Sequence, residues 1–180
     1  MNKKLITAAS IALAACVAIG GTIAYLTDKT DTITNTFTVG KVDINLTETA
    51  RTYKMIPGTT LDKDPTVTVE KGSEDSWVFV KVEESENLDT YIDYTVDLGV
   101  WTPLEGAEGV YYVRVAASEE NTVLNVLTNN QVSVLDSVTS AQMAEAEGDK
   151  PTLTFTAYAI QAKNGDKDFT AAEAWAQLTK

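Results

Sequence analysis

The sequence predicts an all-β protein, an antiparallel β-sandwich or jelly roll with one or two short peripheral helices, preceded by a signal peptide. Thr and Val, which suit half-buried pleated surfaces, occur 26 and 18 times. Short apolar segments recur along the chain between turn signals such as Pro57-Gly58 and Asn164-Gly165. The 180 residues are enough for one domain whose core needs neither disulfides nor metals.

The candidate strands follow a polar segment at 25–35. Alternating apolar residues from Phe37 to Leu46 change phase at Gly40, where we expect a bulge or bend within a strand pair. The apolar run at 77–82 (WVFVKV) predicts a strand covered on both faces. The other candidate strands are 66–69, 91–98, 110–116, 122–127, 132–136 and 152–161. Asn129-Asn130 predicts a turn between two of them.

Two short helices are predicted by capping boxes. Thr139 and Gln142 have this spacing ahead of a segment that Gly148 ends, and Thr170 and Glu173 repeat it near the C-terminus. The second helix has an apolar stripe that we expect to cover a sheet edge or face. The residues of this stripe are Phe169, Ala172, Trp175, Ala176 and Leu178.

The N-terminus has the order of a secretory signal. Lys3 and Lys4 precede an uncharged stretch from 5 to 27, and Thr22-Ile23-Ala24 places small residues where a signal peptidase reads them. We therefore predict a signal peptide at 1–24, cleavage between Ala24 and Tyr25, an extended segment at 25–35 and a jelly-roll domain at 36–180.

Two alternatives remain open for this segment. Its 23 uncharged residues could form a retained transmembrane helix, although Gly20-Gly21 interrupts the span and no basic cluster follows. Leu13-Ala14-Ala15-Cys16 also resembles a lipobox, in which Cys16 would carry a lipid, although the residues after Cys16 stay apolar.

Composition excludes several kinds of site. The formal net charge of −12 argues against a basic surface for nucleic acid or anionic lipid. The sequence contains no histidine, which removes His-based zinc sites and the usual Ser/His and Cys/His nucleophile pairs. Cys16 is the sole cysteine, so a chain cleaved after Ala24 has neither a disulfide nor a reactive thiol.

The remaining chemistry is limited to carboxylates and one aromatic residue. Four acidic clusters could hold Ca²⁺ weakly, but none has a specific ligand spacing, and we predict neither a cofactor nor a catalytic residue. These clusters are Asp62/Asp64, Glu83/Glu84/Glu86, Asp93/Asp97 and Asp166/Asp168. Trp101, in the turn-like Trp101-Thr102-Pro103, is predicted to be an exposed aromatic that could contact a ligand.

Residues 20–46 also resemble a known family. The features are Gly20-Gly21-Thr22-Ile23-Ala24, Tyr25, and Phe37-Thr38-Val39-Gly40-Lys41-Val42 leading into Ile44 and Leu46. They resemble the TasA/camelysin family of Gram-positive bacteria, whose members are exported through a SipW-type signal peptidase. Shorter blocks, such as Ser76-Trp77-Val78-Phe79-Val80-Lys81-Val82, extend the resemblance.

The resemblance implies a secreted jelly-roll protein of the cell surface or biofilm matrix that assembles into fibres. In such fibres the segment freed by cleavage adds as a strand to the next subunit. Here that donor strand is expected to include Tyr25, Leu26, Thr27 and Ile33. The expected partners are further copies of the chain and the signal peptidase, with membrane contact only before cleavage.

Two other functions remain open. The protein could be a monomeric surface module that binds a glycan or a host protein through Trp101 or an acidic loop. It could also be a camelysin-like peptidase, which the absence of histidine makes hard to reconcile with a zinc site.

Overall fold

The computed structural model describes residues 39–180, and Val39–Lys180 forms one compact unit. The predicted signal peptide, lipobox, cleavage site and donor strand therefore lie outside the described residues, as does Phe37. The strands are β1 (Ile44–Thr47), β2 (Thr60–Asp62), β3 (Thr66–Val69), β4 (Ser76–Glu84), β5 (Ile92–Val96), β6 (Thr102–Pro103), β7 (Val110–Val115), β8 (Thr122–Asn125), β9 (Leu127–Val134), β10 (Leu153–Gln161), β11 (Lys163–Asn164) and β12 (Lys167–Asp168). The helices are α1 (Ser140–Gly148), α2 (Ala171–Leu178) and a 3₁₀ turn at Leu88–Thr90.

The strands β1 to β10 form two antiparallel layers, and β11 and β12 form a separate hairpin. The first sheet has the order β10-β4-β7-β6. The second combines β1-β3-β8 with β2-β9-β5, because β2 continues into β3 and β8 continues into β9. Val126 joins β8 to β9 and donates its backbone N–H to the carbonyl of Pro65 at 3.0 Å, so hydrogen bonding is maintained across the junction. The predicted all-β fold is confirmed.

The strand order is that of a jelly roll in its central part. Treated as continuous strands, β2/β3 and β8/β9 give a second sheet ordered β1, β2/β3, β8/β9, β5. Its last three members, together with β10, β4 and β7 of the first sheet, take the six central positions of two interleaved Greek keys. Buried valines from both layers form one core between them, including Val67 and Val69 of β3 and Val78 and Val80 of β4.

Strand β4 is covered on both faces, as its continuous apolar run predicts. Val78, Val80 and Val82 point into the sandwich core. Phe79, on the opposite face, is fully buried beneath α2, where its ring lies 5.2 Å from that of Trp175. The second sheet on one face and α2 on the other therefore shield the apolar part of this strand from solvent.

Both capping boxes are confirmed, and the second fixes the helix that covers this face. Thr170 accepts a hydrogen bond from the backbone of Glu173, and the Glu173 side chain accepts one from the backbone of Thr170. The predicted stripe is wrong in two positions, because Ala172 and Ala176 are exposed, whereas the buried alanines of this helix are Ala171 and Ala174. Phe169, Trp175 and Leu178 of the predicted stripe do pack against the cluster beneath this helix, so the two alanine positions alone are wrong.

Trp101 is not the exposed aromatic that the sequence predicts. It is 1% exposed, and its indole Nε1 donates a hydrogen bond to the carbonyl of Asn125 at 2.8 Å. The ring fills the sandwich core beside β8, and the indole N–H is satisfied by the backbone. The local turn-like sequence contains no signal for this distant partner.

Two predicted irregularities differ from the structure. Asn129 and Asn130 have φ values of 55° and 55°, but they lie within β9 and kink the strand without reversing it. Strand β1 begins only at Ile44, so Gly40 does not form a bulge within a strand pair. A Cβ at Gly40 would instead lie 2.9 Å from Oε1 of Glu74, so glycine permits close approach there.

Candidate functional site: the outer edge of β10

Among residues 39–180, strand β10 lies at the edge of its sheet and pairs with β4 over its entire length, from Leu153 opposite Glu84 to Gln161 opposite Ser76. Just beyond its two ends, Ser85 donates to the carbonyl of Thr152 at 3.0 Å, and Ala162 donates to that of Asp75 at 2.7 Å. In an antiparallel pair, hydrogen-bonded and non-hydrogen-bonded positions alternate. The even-numbered residues of β10 therefore direct their backbone groups to β4.

The odd-numbered residues direct their backbone groups the opposite way, toward the open side of the sheet. These residues are Leu153, Phe155, Ala157, Ala159 and Gln161. Within residues 39–180, no hydrogen bond is made to their outward N–H and C=O groups. The result is a row of donors and acceptors that another extended segment can satisfy.

The side chains of β10 leave this edge free of the usual protection against strand addition. The strand LTFTAYAIQ contains no charged residue and no proline. Leu153, Phe155, Ala157 and Ala159 contact the sandwich core, and Tyr158 and Ile160 contact the cluster beneath α2. The edge is therefore flat and uncharged, and it is held in place from both faces.

The opposite edge of the first sheet is protected. Strand β6 has two residues, and its second residue is Pro103, which has no N–H to donate. In the second sheet, β5 has a register shift between Tyr94 and Val96, and Asp93 lies exposed on it. In the described part of the chain, β10 therefore forms the longest sheet edge without a register shift.

A buried ion pair fixes the surroundings of the N-terminal end of β10. Lys63 Nζ lies 2.6 Å from Oε1 of Glu48 and 5.3 Å from the ring centroid of Phe155. Tyr53 donates its hydroxyl hydrogen to Glu48, and burial together with this carboxylate raises the pKa of Tyr53. These contacts hold the connection between β1 and β2 beside β10. Strand β1, which belongs to the other layer, also contacts β10.

The N-terminal half of the chain identifies its family. Residues 1–93 match the family described as camelysin metallo-endopeptidase. The chain belongs to the camelysin family. No curated protein and no solved structure matches this camelysin-family chain. The resemblance stated from residues 20–46 is thereby confirmed.

The family description implies a metal site, and in a chain without histidine carboxylates would have to form it. Asp64 accepts hydrogen bonds from the hydroxyl and backbone N–H of Thr49, and these bonds lower the pKa of Asp64. The Arg114 guanidinium donates hydrogen bonds to the carboxylates of Asp75 and Asp168, and its hydrogen bond to Asp75 lowers the pKa of that carboxyl. Among residues 39–180, no three side chains of the metal-binding types are grouped together. The described part of this camelysin-family protein does not fit such a site.

A shallow groove of about 310 Å³ lies beside β5. Its walls include Glu84, Asp89, Asp93, Tyr94 and Leu98. Tyr94 donates its hydroxyl hydrogen to Glu84, and burial with this contact raises the pKa of Tyr94. Three of its lining side chains are acidic, and Trp101 is not among them because its side chain is in the core.

The sequence reveals only part of the candidate site. It predicts strand 152–161 and its lack of charge, but the position of this strand at an edge depends on pairing with a segment more than 60 residues away.

Within residues 39–180, no helix is both long and apolar enough to cross a bilayer.

Proposed function

We propose that this camelysin-family protein is an exported structural subunit that assembles by β-strand addition. In this proposal, cleavage between Ala24 and Tyr25 frees residues 25–35, which then pair with the outer edge of β10 in the next copy. The observation that carries the proposal is the row of backbone groups along an uncharged nine-residue strand that have no hydrogen-bond partner within residues 39–180.

The lengths of the two segments agree. A strand rises about 3.3 Å per residue, so β10 extends over roughly 30 Å and an extended segment of 25–35 over roughly 36 Å. The segment has no Gly or Pro, and its alternation places Tyr25, Thr27 and Ile33 on one face and Leu26 on the other. Each copy then has one donor and one acceptor in different places, so association does not close and a filament grows.

The side chains of the described domain also favour a structural role over a catalytic one. Several of its acidic side chains form ion pairs that hold loops to strands, as Asp75 does with Arg114 and Glu48 with Lys63. The chain has no histidine to act as a general base near neutral pH. A non-catalytic subunit of the cell surface or extracellular matrix is the function these residues support best.

Electron microscopy of the chain from Tyr25 to Lys180, beside a chain that begins at residue 36, tests the proposal. We expect filaments from the first and dispersed particles from the second. Filaments of equal length and number from both chains would contradict strand addition by residues 25–35. Dispersed particles from both chains would contradict assembly and favour the monomeric binding module.

A further inference from the structure

The groove beside β5 follows the outer edge of that strand, and its lining includes all of residues 92–96. Just before β5, Tyr91 accepts a hydrogen bond through its carbonyl from the backbone of Leu135 at 2.9 Å. Just after it, Asp97 donates its backbone N–H to the carbonyl of Val126 at 2.9 Å. Backbone groups alternate in direction along a strand, so odd-numbered residues of β5 face β9 and even-numbered residues face the groove.

This alternation is not interrupted by the register shift between β5 and β9. Tyr94 and Val96 are two positions apart, while their partners, Val132 and Leu127, are five apart, so the extra residues belong to β9. Within residues 39–180, no hydrogen bond is made to the outward backbone groups of Ile92, Tyr94 and Val96. The groove therefore offers donors and acceptors that a second extended segment can satisfy.

Negative charge borders these backbone groups. Glu84, Asp89 and Asp93 line the groove, and none of the ion pairs found within residues 39–180 includes them. By contrast, Glu48 and Glu173 are each paired with a lysine. The described residues thus leave the charge of this groove without a cationic partner, which makes it complementary to a basic ligand.

The arrangement of the carboxylates favours an extended ligand over a single metal ion. Among residues 39–180, no three side chains of the metal-binding types are grouped together, so these carboxylates do not converge on one point. Ile92 and Tyr94 contact the core, so Asp93 lies on the solvent face of β5, whereas Glu84 accepts a hydrogen bond from Tyr94 on the other face. Charge on both faces of a strand edge matches a strand with cations on both of its faces.

Apolar and aromatic surface accompanies the charge. The side chains of Tyr94 and Tyr111 line the groove, and so does Leu98, which is 63% exposed. Lysine and arginine have long apolar stems that lie along such surfaces, and their charged groups are attracted to aromatic rings.

We propose that the outer edge of β5 binds an extended segment of another protein that carries lysine or arginine on both of its faces. The backbone of this segment pairs with Ile92, Tyr94 and Val96, and its cations lie beside the groove carboxylates. The same carboxylates disfavour an acidic strand such as residues 25–35, whose two aspartates and one lysine give a side-chain charge of −1. The edges of β5 and β10 then accept different partners, so this proposal does not depend on filament assembly.

Nuclear magnetic resonance of the dilute, unassembled chain from Tyr25 to Lys180 tests the proposal. The probe is a blocked synthetic peptide of threonine and valine with two adjacent lysines at its centre, one for each face of the extended peptide. Its matched control has glutamates in place of the lysines. With the lysine peptide, we expect the outward amides of Ile92, Tyr94 and Val96 to shift and to exchange more slowly. The amide of Asp93 serves as an internal control, because it faces β9.

A triple variant tests the role of charge while keeping polar side chains of similar size. We expect it to bind the lysine peptide at least about tenfold more weakly, since exposed ion pairs contribute up to about 1 kcal/mol each. The substitutions are Glu84→Gln, Asp89→Asn and Asp93→Asn. The control variant neutralises three exposed carboxylates that do not line the groove and should bind as the unaltered chain does; its substitutions are Glu119→Gln, Glu120→Gln and Asp166→Asn.

Four results would overturn the proposal: no binding of the lysine peptide, equal binding of the glutamate peptide, equal affinity in the triple variant, or binding that leaves exchange of the outward amides unchanged. Ca²⁺ alone is the last arm of the experiment. If millimolar Ca²⁺ shifts the same amides and blocks the peptide, the groove is a metal site and the proposal is wrong. Filament formation by concentrated protein is measured separately and is unaffected by any of these results.

Discussion

The ammonium of Lys63 lies 2.6 Å from the carboxylate of Glu48, and only 9% and 15% of these side chains are exposed. The same ammonium lies over the rings of Tyr53 and Phe155, at 5.0 Å and 5.3 Å from their centroids. One cation thus connects the segment after β1 with the sheet that carries the open edge. Removing it leaves the Glu48 carboxylate in poor contact with solvent and without its ion-pair partner.

Lys63→Ala is therefore expected to destabilise the domain by about 3 kcal/mol, the cost of breaking a buried pair from one side. Urea unfolding followed by tryptophan fluorescence measures this change. Lys81→Ala is the matched control, because Lys81 pairs with Glu83 at the same 2.6 Å on the surface. A control variant that loses as much stability as Lys63→Ala would contradict the importance of the buried pair.

Trp101 gives a second prediction because its indole both fills the core and donates to Asn125. Trp101→Phe retains most of the ring but leaves the Asn125 carbonyl without this donor, which should cost about 1–3 kcal/mol. Trp101→Leu removes the whole ring in addition to this donor, so it should lower the free energy of unfolding further. Thermal unfolding monitored by near-UV circular dichroism measures both. An unchanged melting temperature in Trp101→Leu would show that the residue lies at the surface.

Acid should loosen α2 through Glu173. A hydrogen bond from Lys167, followed by one from the backbone of Thr170, lowers the pKa of Glu173 from 4.5 to about 2. The folded-state pKa is depressed, so this stabilisation is complete above pH 4.5 and is lost as the pH falls toward 2. Unfolding measured from pH 6 to pH 2.5 should show a smaller acid-dependent loss in Glu173→Gln than in the unaltered chain. Identical pH profiles would show that Glu173 makes no contribution.

The edge of β10 can be blocked at one backbone group. Ala157→Pro removes the outward N–H of Ala157 and leaves the hydrogen bonds to β4 in place, because that N–H points away from β4. We expect monomers of near-normal fold that no longer extend filaments, by light scattering and electron microscopy. Ala157→Gly is the control, since glycine is also unfavourable within a strand but keeps the N–H. If both variants assemble as the unaltered chain does, β10 is not the acceptor.

The fold was predictable wherever the signal is local. The apolar run in β4 and the hydrogen-bonding requirements of Thr139 and Thr170 at helix starts are contained in a few neighbouring residues. Trp101 was misassigned because its partner, the carbonyl of Asn125, is reached only through the fold. The Asn129-Asn130 pair does adopt the left-handed conformation that asparagine tolerates, but β9 pairs with β5 at Leu127 before it and again from Val132 after it, so the strand continues.

The outer edge of β10 likewise combines a local sequence signal with a feature that only the fold reveals. An uncharged strand at 152–161 can be predicted from residue types, whereas its edge position requires knowing that β4 lies on one side and that no described strand hydrogen-bonds to the other. The metal-site question also depends on tertiary structure, because carboxylates that are close in sequence, such as Asp166 and Asp168, become useful only if other ligands approach them. In the described residues Asp168 is instead bonded by Arg114.

A synthetic peptide of residues 25–35, titrated into isotope-labelled chain that begins at residue 36, most directly tests whether β10 accepts the N-terminal segment. Backbone amide resonances should shift, and exchange should slow, at Phe155, Ala157 and Ala159, while the groove beside β5 stays unchanged. A scrambled peptide should cause neither effect. Binding confined to the groove residues, or no response along β10 at saturating peptide, would contradict strand addition at this edge.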